Sequence, residues 1–342
     1  YSGGATCPSL LLEPSRTNLI NRSEYFGSYT KGGGAGFVVT DNYGTSPEGV
    51  QNACRIQYTS GNTYLLSNSP NITTGQVITM SIYAKGTAGE QFRLYFDGSG
   101  GATANTEFTL TTDWKRYEVT SSAATANGVV TPHILVGYAS SNPATDFQVY
   151  GWQGELASYK TSYIPTYGVS QTRVQDRCFQ TGISNLIGQT EGTIFIDLVL
   201  NNPVDSVNRV VSVTGLNWAA NGSFRFDFTA QNQIIADVTF QGANSTSITY
   251  PIQLNEGDRY KVAFSYKEND CKMYVNGVAA GVSTSTSGIP ACSQIHLNEL
   301  GAGFGGPFEA SSQNQVMLFK TRLSNLDLAI LTGATTYNTF AE

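Results

Sequence analysis

The sequence predicts an all-β protein built as two tandem β-sandwiches of the jelly-roll kind. Three observations predict this class. Short apolar and aromatic runs alternate with turn residues along most of the chain, in two series parted by a stretch without alternation. The composition suits strands and turns, with 36 Gly, 19 Tyr and 17 Phe against 3 Met. The 342 residues are comfortable for two domains of about 100–200 residues each.

The dividing stretch is Val149 to Arg173, VYGWQGELASYKTSYIPTYGVSQTR. Val149, Tyr150 and Trp152 favour a strand. Alternation then gives way to Ser, Thr, Tyr and Gly around Pro165, which has no N–H to donate and biases Ile164 toward an extended backbone. The expectation is a last strand that leaves its sheet and runs as an extended, tethered segment to a second domain. The domains are drawn at 1–175, with an N-terminal arm and a C-terminal linker, and at 176–342.

In chain order, residues 1–20 read as an extended arm that docks an edge strand, with the apolar run Leu10 to Leu12. Residues 21–50 read as loop-rich, from the KGGGAG stretch and the turn signals Asp41-Asn42 and Ser46-Pro47. Strands are expected over 53–58, 63–66, 76–85, 91–97, around Phe108 and Leu110, and over 114–120, 129–138 and 146–152. In 76–85, Val77, Thr79, Ser81 and Tyr83 share one face and Ile78, Met80 and Ile82 the other. After the tether, a short turn or helix is expected near 183–187. Strands follow over 192–200, 209–213, 223–228, 233–240, 247–251, 260–266, 271–275, 294–297 and 315–320. Asn276-Gly277 between apolar runs is a strong hairpin signal. Ser324 to Leu331 has an N-cap Ser with Asp three residues on, and is the one good helix pattern.

Charge and cysteines narrow the function classes. The net charge is −6. Residues 1–176 contribute 10 basic minus 12 acidic and residues 177–342 contribute 9 minus 13. With no basic block, nucleic acid is not an expected partner. No apolar run approaches the roughly 18 residues of a membrane helix, so no membrane insertion is expected. Without a signal peptide or initiator Met, the chain is expected to be part of a longer one. Cys7, Cys54, Cys178, Cys271 and Cys292 form no CxxC pair, and with only His133 and His296 a zinc site is not expected. Free buried thiols are the expectation, with a Cys271–Cys292 bond across a late meander as the alternative.

Two resemblances add to this pattern. CPSLLLEPSRTNLI at 7–20, the 149–173 stretch and TTDWKRYEVT at 111–120 resemble a jelly-roll domain of bacteriophage and prophage tail and other structural proteins, Bacteroidetes phages included. Such domains are similar to family 4 and 9 carbohydrate-binding modules. QGEL at 153–156 departs from the family's commoner Gln-Leu-Glu, so no role passes to Glu155. EGTIFID at 191–197, KVAFSYKENDCKMYVNG at 261–277, NELGAG at 298–303 and LSNLDLAIL at 323–331 resemble a concanavalin A-like or laminin-G-like sandwich.

The first resemblance implies a non-catalytic virion protein of a tail, fibre or appendage, extracellular on the particle. Its partners would be host-surface glycans and other virion proteins, and its copies would form a symmetric homo-oligomer, a trimer above all. The low-complexity segments 1–15 and 158–170, rich in Tyr and Leu, suit chains that pack along a neighbour. The alternatives are a secreted polysaccharide-active enzyme or its accessory carbohydrate-binding module, and a purely structural spacer.

Residue by residue, catalysis finds little support. A glycosidase needs two carboxylates flanking the sugar bond, and the Glu-x-Asp-x-x-Glu run of concanavalin A-like enzymes is absent. Asp227 and Asp237 could face each other on adjacent strands, but strand carboxylates are more often solvated. His133 and His296 read as hydrogen-bonded strand histidines. GAGFGG at 301–306 lacks the Lys-Ser/Thr of a phosphate loop. Sugar binding uses aromatic faces with planar amides and carboxylates. Its candidates are Trp152, Tyr83, Tyr95 and Tyr138 on strands of the first domain. In loops of the second they are Asn217, Trp218, Phe304, Phe308 and Glu309. The loops around Trp218 and 304–309 are the expected binding edge. Both fold families commonly hold calcium through oxygen ligands. The loops offer Asp, Asn and Glu but no recognisable calcium loop, so Ca2+ is compatible with the sequence without being specified by it.

Overall fold

A computed structural model describes residues 9–33, 37–202, 204, 208–215, 221–241, 243–298 and 311–333. The chain divides into two compact units, residues 15–174 and residues 175–342 together with the arm up to Pro14. Almost every regular element is a strand. In chain order they are β1 (Leu10–Leu12), β2 (Arg16–Asn18), β3 (Thr30–Gly33), β4 (Val38–Thr45), β5 (Gln51–Gln57), β6 (Thr63–Leu66) and β7 (Asn71–Ile72). Next come β8 (Thr79–Gly86), β9 (Gln91–Asp97), β10 (Ala104–Thr109), β11 (Lys115–Thr120), β12 (Gly128–Val129), β13 (Thr131–Val136), β14 (Asp146–Glu155) and β15 (Gln171–Arg173).

The first sandwich has two five-stranded antiparallel sheets, ordered β10-β9-β13-β6-β3 and β11-β8-β14-β5-β4. Their inner faces share one core. Phe92, Leu94 and Phe96 of β9 and Met80, Ile82 and Ala84 of β8 are all in it. Strand alternation then turns Arg93, Tyr95 and Asp97 to the opposite face of β9. The region 21–50, expected to be loop-rich, contains β3 and β4. Both are outermost strands with exposed and half-exposed residues along their length. An edge strand with little buried surface carries no apolar alternation to read.

β14 holds the fold's main irregularity. Its pairing with β8 shifts between Tyr150 and Gln153, and Gly151 there has φ +65°. The extra residue reverses which face the following side chains take. Phe147, Val149 and then Trp152 enter the core. Tyr150, Gln153 and Glu155 lie on the other face, buried beneath the segment that follows. That segment is tethered by buried side chains of its own sandwich. The Gln153 amide accepts from the Ile164 N–H at 2.7 Å, and the Glu155 carboxylate accepts from the Thr161 N–H and hydroxyl at 2.9 and 2.6 Å. Asn18 fastens the same stretch from the N-terminal side. Its Nδ2 donates to the carbonyls of Trp152 and Ile164, and its Oδ1 accepts from the N–H groups of Ile20 and Gly154. Stretch 158–170, expected to suit a neighbouring copy, thus buries Tyr159, Thr161, Ile164 and Thr166 against its own chain.

The second sandwich begins with β16 (Cys178–Thr181), β17 (Glu191–Leu200), β18 (Asn208–Thr214), β19 (Ser223–Thr229), β20 (Gln233–Phe240) and β21 (Ala243–Pro251). It ends with β22 (Arg259–Lys267), β23 (Cys271–Val275), β24 (Val278–Ser283), β25 (Gln294–Leu297), β26 (Ser311–Phe319) and helix α1 (Asn325–Thr332). Two six-stranded sheets, β1-β26-β17-β22-β23-β24 and β16-β25-β18-β19-β20-β21, enclose a core that includes Ile194, Ile196, Phe224, Phe226, Phe264 and Met273. The N-terminal arm does dock an edge strand, but the edge belongs to this sandwich: Leu10–Leu12 pair with Gln313–Ser311. Beyond β1, the Glu13 N–H donates to the Asp176 carboxylate and the Asp176 N–H to the Glu13 carbonyl, each at 3.0 Å. The first sandwich is therefore inserted in the chain between β1 and the rest of the second.

Helix α1 forms where its caps predict. The Ser324 hydroxyl accepts from the Asp327 N–H, and Gly333 closes the helix at φ +117°. Leu328 and Ala329 pack with Phe195, Ala263 and Tyr274. Residues 183–187 form a turn, with the Leu186 N–H donating to the Ile183 carbonyl. Cys54, Cys178, Cys271 and Cys292 are free thiols, the last two both buried, and Cys7 lies outside the described residues.

Candidate functional site

The face of β10-β9-β13-β6-β3 turned away from the core forms a groove of about 980 Å³. Cross-strand registers assemble it in rows. One row runs Asn105, Tyr95, His133, Leu66, Thr30 across all five strands. The next runs Glu107, Arg93, Leu135, Tyr64, Gly32. Asp97 and Thr131 pair beyond them. Four inter-strand spacings make the groove roughly 19 Å across its strands.

Its aromatic rings are placed by their neighbours. Tyr95 meets the His133 ring edge-on, with centroids 5.0 Å apart, and Tyr64 lies 6.2 Å from the same ring on its other side. Tyr64 rests on Gly32: a Cβ there would stand 2.2 Å from the tyrosine ring. Tyr138 follows β13 in a turn where Gly137 and Ala139 have φ of +84° and +48°. A Cβ on Gly137 would meet the Gly61 carbonyl at 2.4 Å, so only glycine lets the turn sit this close to β6.

Two charged pairs set the polar chemistry. The His133 ring bonds Asp97 through Nε2 at 2.9 Å, with the Asp97 side chain 48% exposed and that of His133 only 11%. Arg93 donates to the Tyr138 carbonyl at 2.8 Å, to the Asn105 amide oxygen at 3.2 Å and to the Glu107 carboxylate at 3.0 Å. Asp97 is therefore anchored at one oxygen and open to solvent, while the Arg93 guanidinium is taken up by its neighbours.

The sequence candidates fall in three places. Tyr95 and Tyr138 line the groove. Trp152 does not bind from the surface. It is fully buried, packs edge-on against Phe26 and Tyr29 at 5.6 Å each, and turns its indole N–H toward the Met80 sulfur. Tyr83 sits on the other sheet, half-buried, 6.2 Å from the Tyr150 ring and with the Arg116 guanidinium 5.3 Å from its own. Asn217, Trp218, Phe304, Phe308 and Glu309 lie outside the described residues. Sequence reasoning missed Tyr64, Asp97 and Asn105. Alternation in 91–97 and 63–66 places Asp97 with Tyr95 and Tyr64 on a strand face, but nothing local brings those strands into one sheet.

Asp227 and Asp237 do not form an opposed pair. β19 and β20 put Arg225 opposite Asp237, bonded at 2.9 Å, and Ile235 opposite Asp227. His133 is the hydrogen-bonded strand histidine expected, and His296 is buried, stacked on Phe179 at 5.6 Å. Among the described residues no group of three or more His, Cys, Asp or Glu is placed to hold a metal ion.

Residues 200–328, within the second sandwich, match the family model described as the Concanavalin A-like lectin/glucanases superfamily. No curated protein sequence matches the chain. Among solved structures, the CBM40 of the Ruminococcus gnavus IT-sialidase is similar, at 15% identity and a TM-score of 0.36 over 45% of this chain and 92% of that one. The leech intramolecular trans-sialidase complexed with 2,7-anhydro-Neu5Ac matches at 17% identity and a TM-score of 0.37. That likeness spans 44% of this chain and 24% of the enzyme. The heptameric SAP-like pentraxin of Limulus polyphemus matches at 12% identity and 0.34, over 43% and 71%.

Proposed function

We propose that the protein is a non-catalytic glycan-binding chain, an accessory carbohydrate-binding module, which takes its sugar in the groove of the first sandwich. The observation that carries this reading is the convergence of Tyr64, Tyr95 and Tyr138 with Asp97, His133 and Asn105 on one open face. Tyrosine faces suit the apolar side of a pyranose ring, and fixed carboxylate and amide groups suit its hydroxyls. The strand scaffold fixes both kinds of group before a ligand arrives, which limits the ordering cost of binding.

The partners of the carboxylates support binding rather than hydrolysis. Asp97 and Glu107 are held by His133 and Arg93, and Asp237 by Arg225. None of these pairs presents two carboxyls across a space for a glycosidic bond. The test is a glycan array probed with the whole chain and with Asp97→Ala. Saturable signal on a glycan class, lost in the variant, is the expected result. No retention of any glycan at millimolar concentration would contradict the reading.

A second reading keeps the same groove in another setting. The motifs at 7–20, 111–120 and 149–173 support a tail or appendage protein of a virion that attaches to host glycans, in a homo-oligomer. Recovery of the chain in purified phage particles would support that setting, and absence from every particle preparation of an expressing lysogen would remove it.

A further inference from the structure

We infer that the groove selects uncharged glycans and discriminates against those carrying carboxylate or sulfate groups; this rests on the glycan-binding reading above. Recognition of an anionic sugar needs a cation with donors to offer, most effectively the planar fork of an arginine. Among the described residues that line the groove, Arg93 is the only arginine or lysine. Its guanidinium is bonded to the Tyr138 carbonyl, the Asn105 amide oxygen and the Glu107 carboxylate. An anionic ligand would have to break that set and approach Glu107 as well.

The exposed charge of the groove has the opposite sign. Among the described residues that line the groove, Asp97 is the carboxylate; it faces solvent and bonds the His133 ring. A carboxylate accepts up to about four hydrogen bonds, so its outward lone pairs suit sugar hydroxyls, which donate. The remaining polar wall is neutral: Asn62, Ser69, Asn105 and Thr131, with the Ser69 and Thr131 hydroxyls bonded to each other at 2.8 Å. Lys31, between Thr30 and Gly32, alternates to the other face of its strand and donates to the Gly27 carbonyl at 2.6 Å.

The experiment uses the whole chain at pH 7.5. Matched pairs of oligosaccharides are titrated by calorimetry, each neutral member beside its sialylated, uronic-acid or sulfated counterpart. Lactose with 3'-sialyllactose and galactotetraose with tetragalacturonate are two such pairs. The neutral members should bind at least about tenfold more tightly. Glu107→Gln releases Arg93 from its carboxylate, and Asp97→Asn removes the exposed charge; each should narrow that ratio, with melting temperature confirming a folded protein. Anionic members binding as tightly as their neutral partners would overturn the selectivity and leave glycan binding standing. A ratio unmoved in both variants would overturn the charge argument. Binding to no member of any pair would overturn the glycan reading itself.

Discussion

Gly32 and Tyr64 show how one missing methyl group shapes the groove. The ring occupies the space that a Cβ on Gly32 would need, at 2.2 Å. An aromatic laid over an edge glycine is held in one place by the strand beneath it. Gly32→Val should push the ring off the sheet and weaken glycan binding several-fold while the fold persists; unchanged binding would show that Tyr64 is not part of the platform. Trp152 teaches the converse. Its place one residue past a bulge cannot be read from alternation, because the extra residue exchanges the two faces, and core and surface readings stay equal until the bulge is located. Its burial predicts that Trp152→Ala lowers the unfolding free energy by about 3–5 kcal/mol, measured by urea denaturation. Tyr95 was legible as a strand aromatic, whereas Tyr138, expected on a strand, lies in the turn after β13. The partnership of His133 with Asp97 was legible only as a strand histidine with some hydrogen bond. The thiols offer a pH test. Burial pushes the Cys292 thiol up from near 9 to about 12. A thiolate fraction of about one part in a thousand at pH 9 follows, so Cys292 should resist DTNB in the native protein and react on unfolding. The folded state holds this proton more tightly than the unfolded one. Stability is therefore complete below about pH 9 and declines as the pH rises toward 12. Rapid labelling of Cys292 at neutral pH would contradict its burial.

Several strands were legible almost to the residue: β6, β9, β20, β23 and β25 begin and end where the sequence places them. β3 and β4 were not, because an edge strand buries too little to leave a pattern. The arm was legible as an arm, but its destination was not. β1 pairs with β26 across some 300 residues, and no local signal encodes a pairing that distant. The tail after β14 was legible as a tethered segment, but its partners were not: Gln153, Glu155 and Asn18 supply the buried partners its backbone needs. The element-scale prediction concerns the arm. Removing residues 1–14 strips an edge strand and the buried Leu12, worth roughly 2 kcal/mol in apolar burial alone. Calorimetry should show the transition of the second sandwich moving down while that of the first stays in place. A shift confined to the first sandwich would contradict the docking of β1.

At the scale of the whole molecule, composition and strand spacing were enough for the fold class, because two hydrophobic series of this length have few all-β arrangements. The insertion of one sandwich in the chain of the other was hidden, since it depends on where the arm pairs. The candidate site was legible only in part for the same reason. The groove draws Thr30, Tyr64, Tyr95, Asn105, His133 and Tyr138 from strands and turns spread over more than a hundred residues, and sheet order alone makes them neighbours. Tyr83 and Tyr95 share residue type and strand setting but lie on opposite sheets of that sandwich. That difference gives the most direct test of the groove as the binding site. The glycan that gives the strongest array signal is titrated by calorimetry into the native chain, Tyr95→Ala and Tyr83→Ala, with melting temperatures measured for all three. The groove account predicts a loss of at least about tenfold for Tyr95→Ala and native affinity for Tyr83→Ala. Native affinity in Tyr95→Ala, with the loss in folded Tyr83→Ala instead, would contradict it.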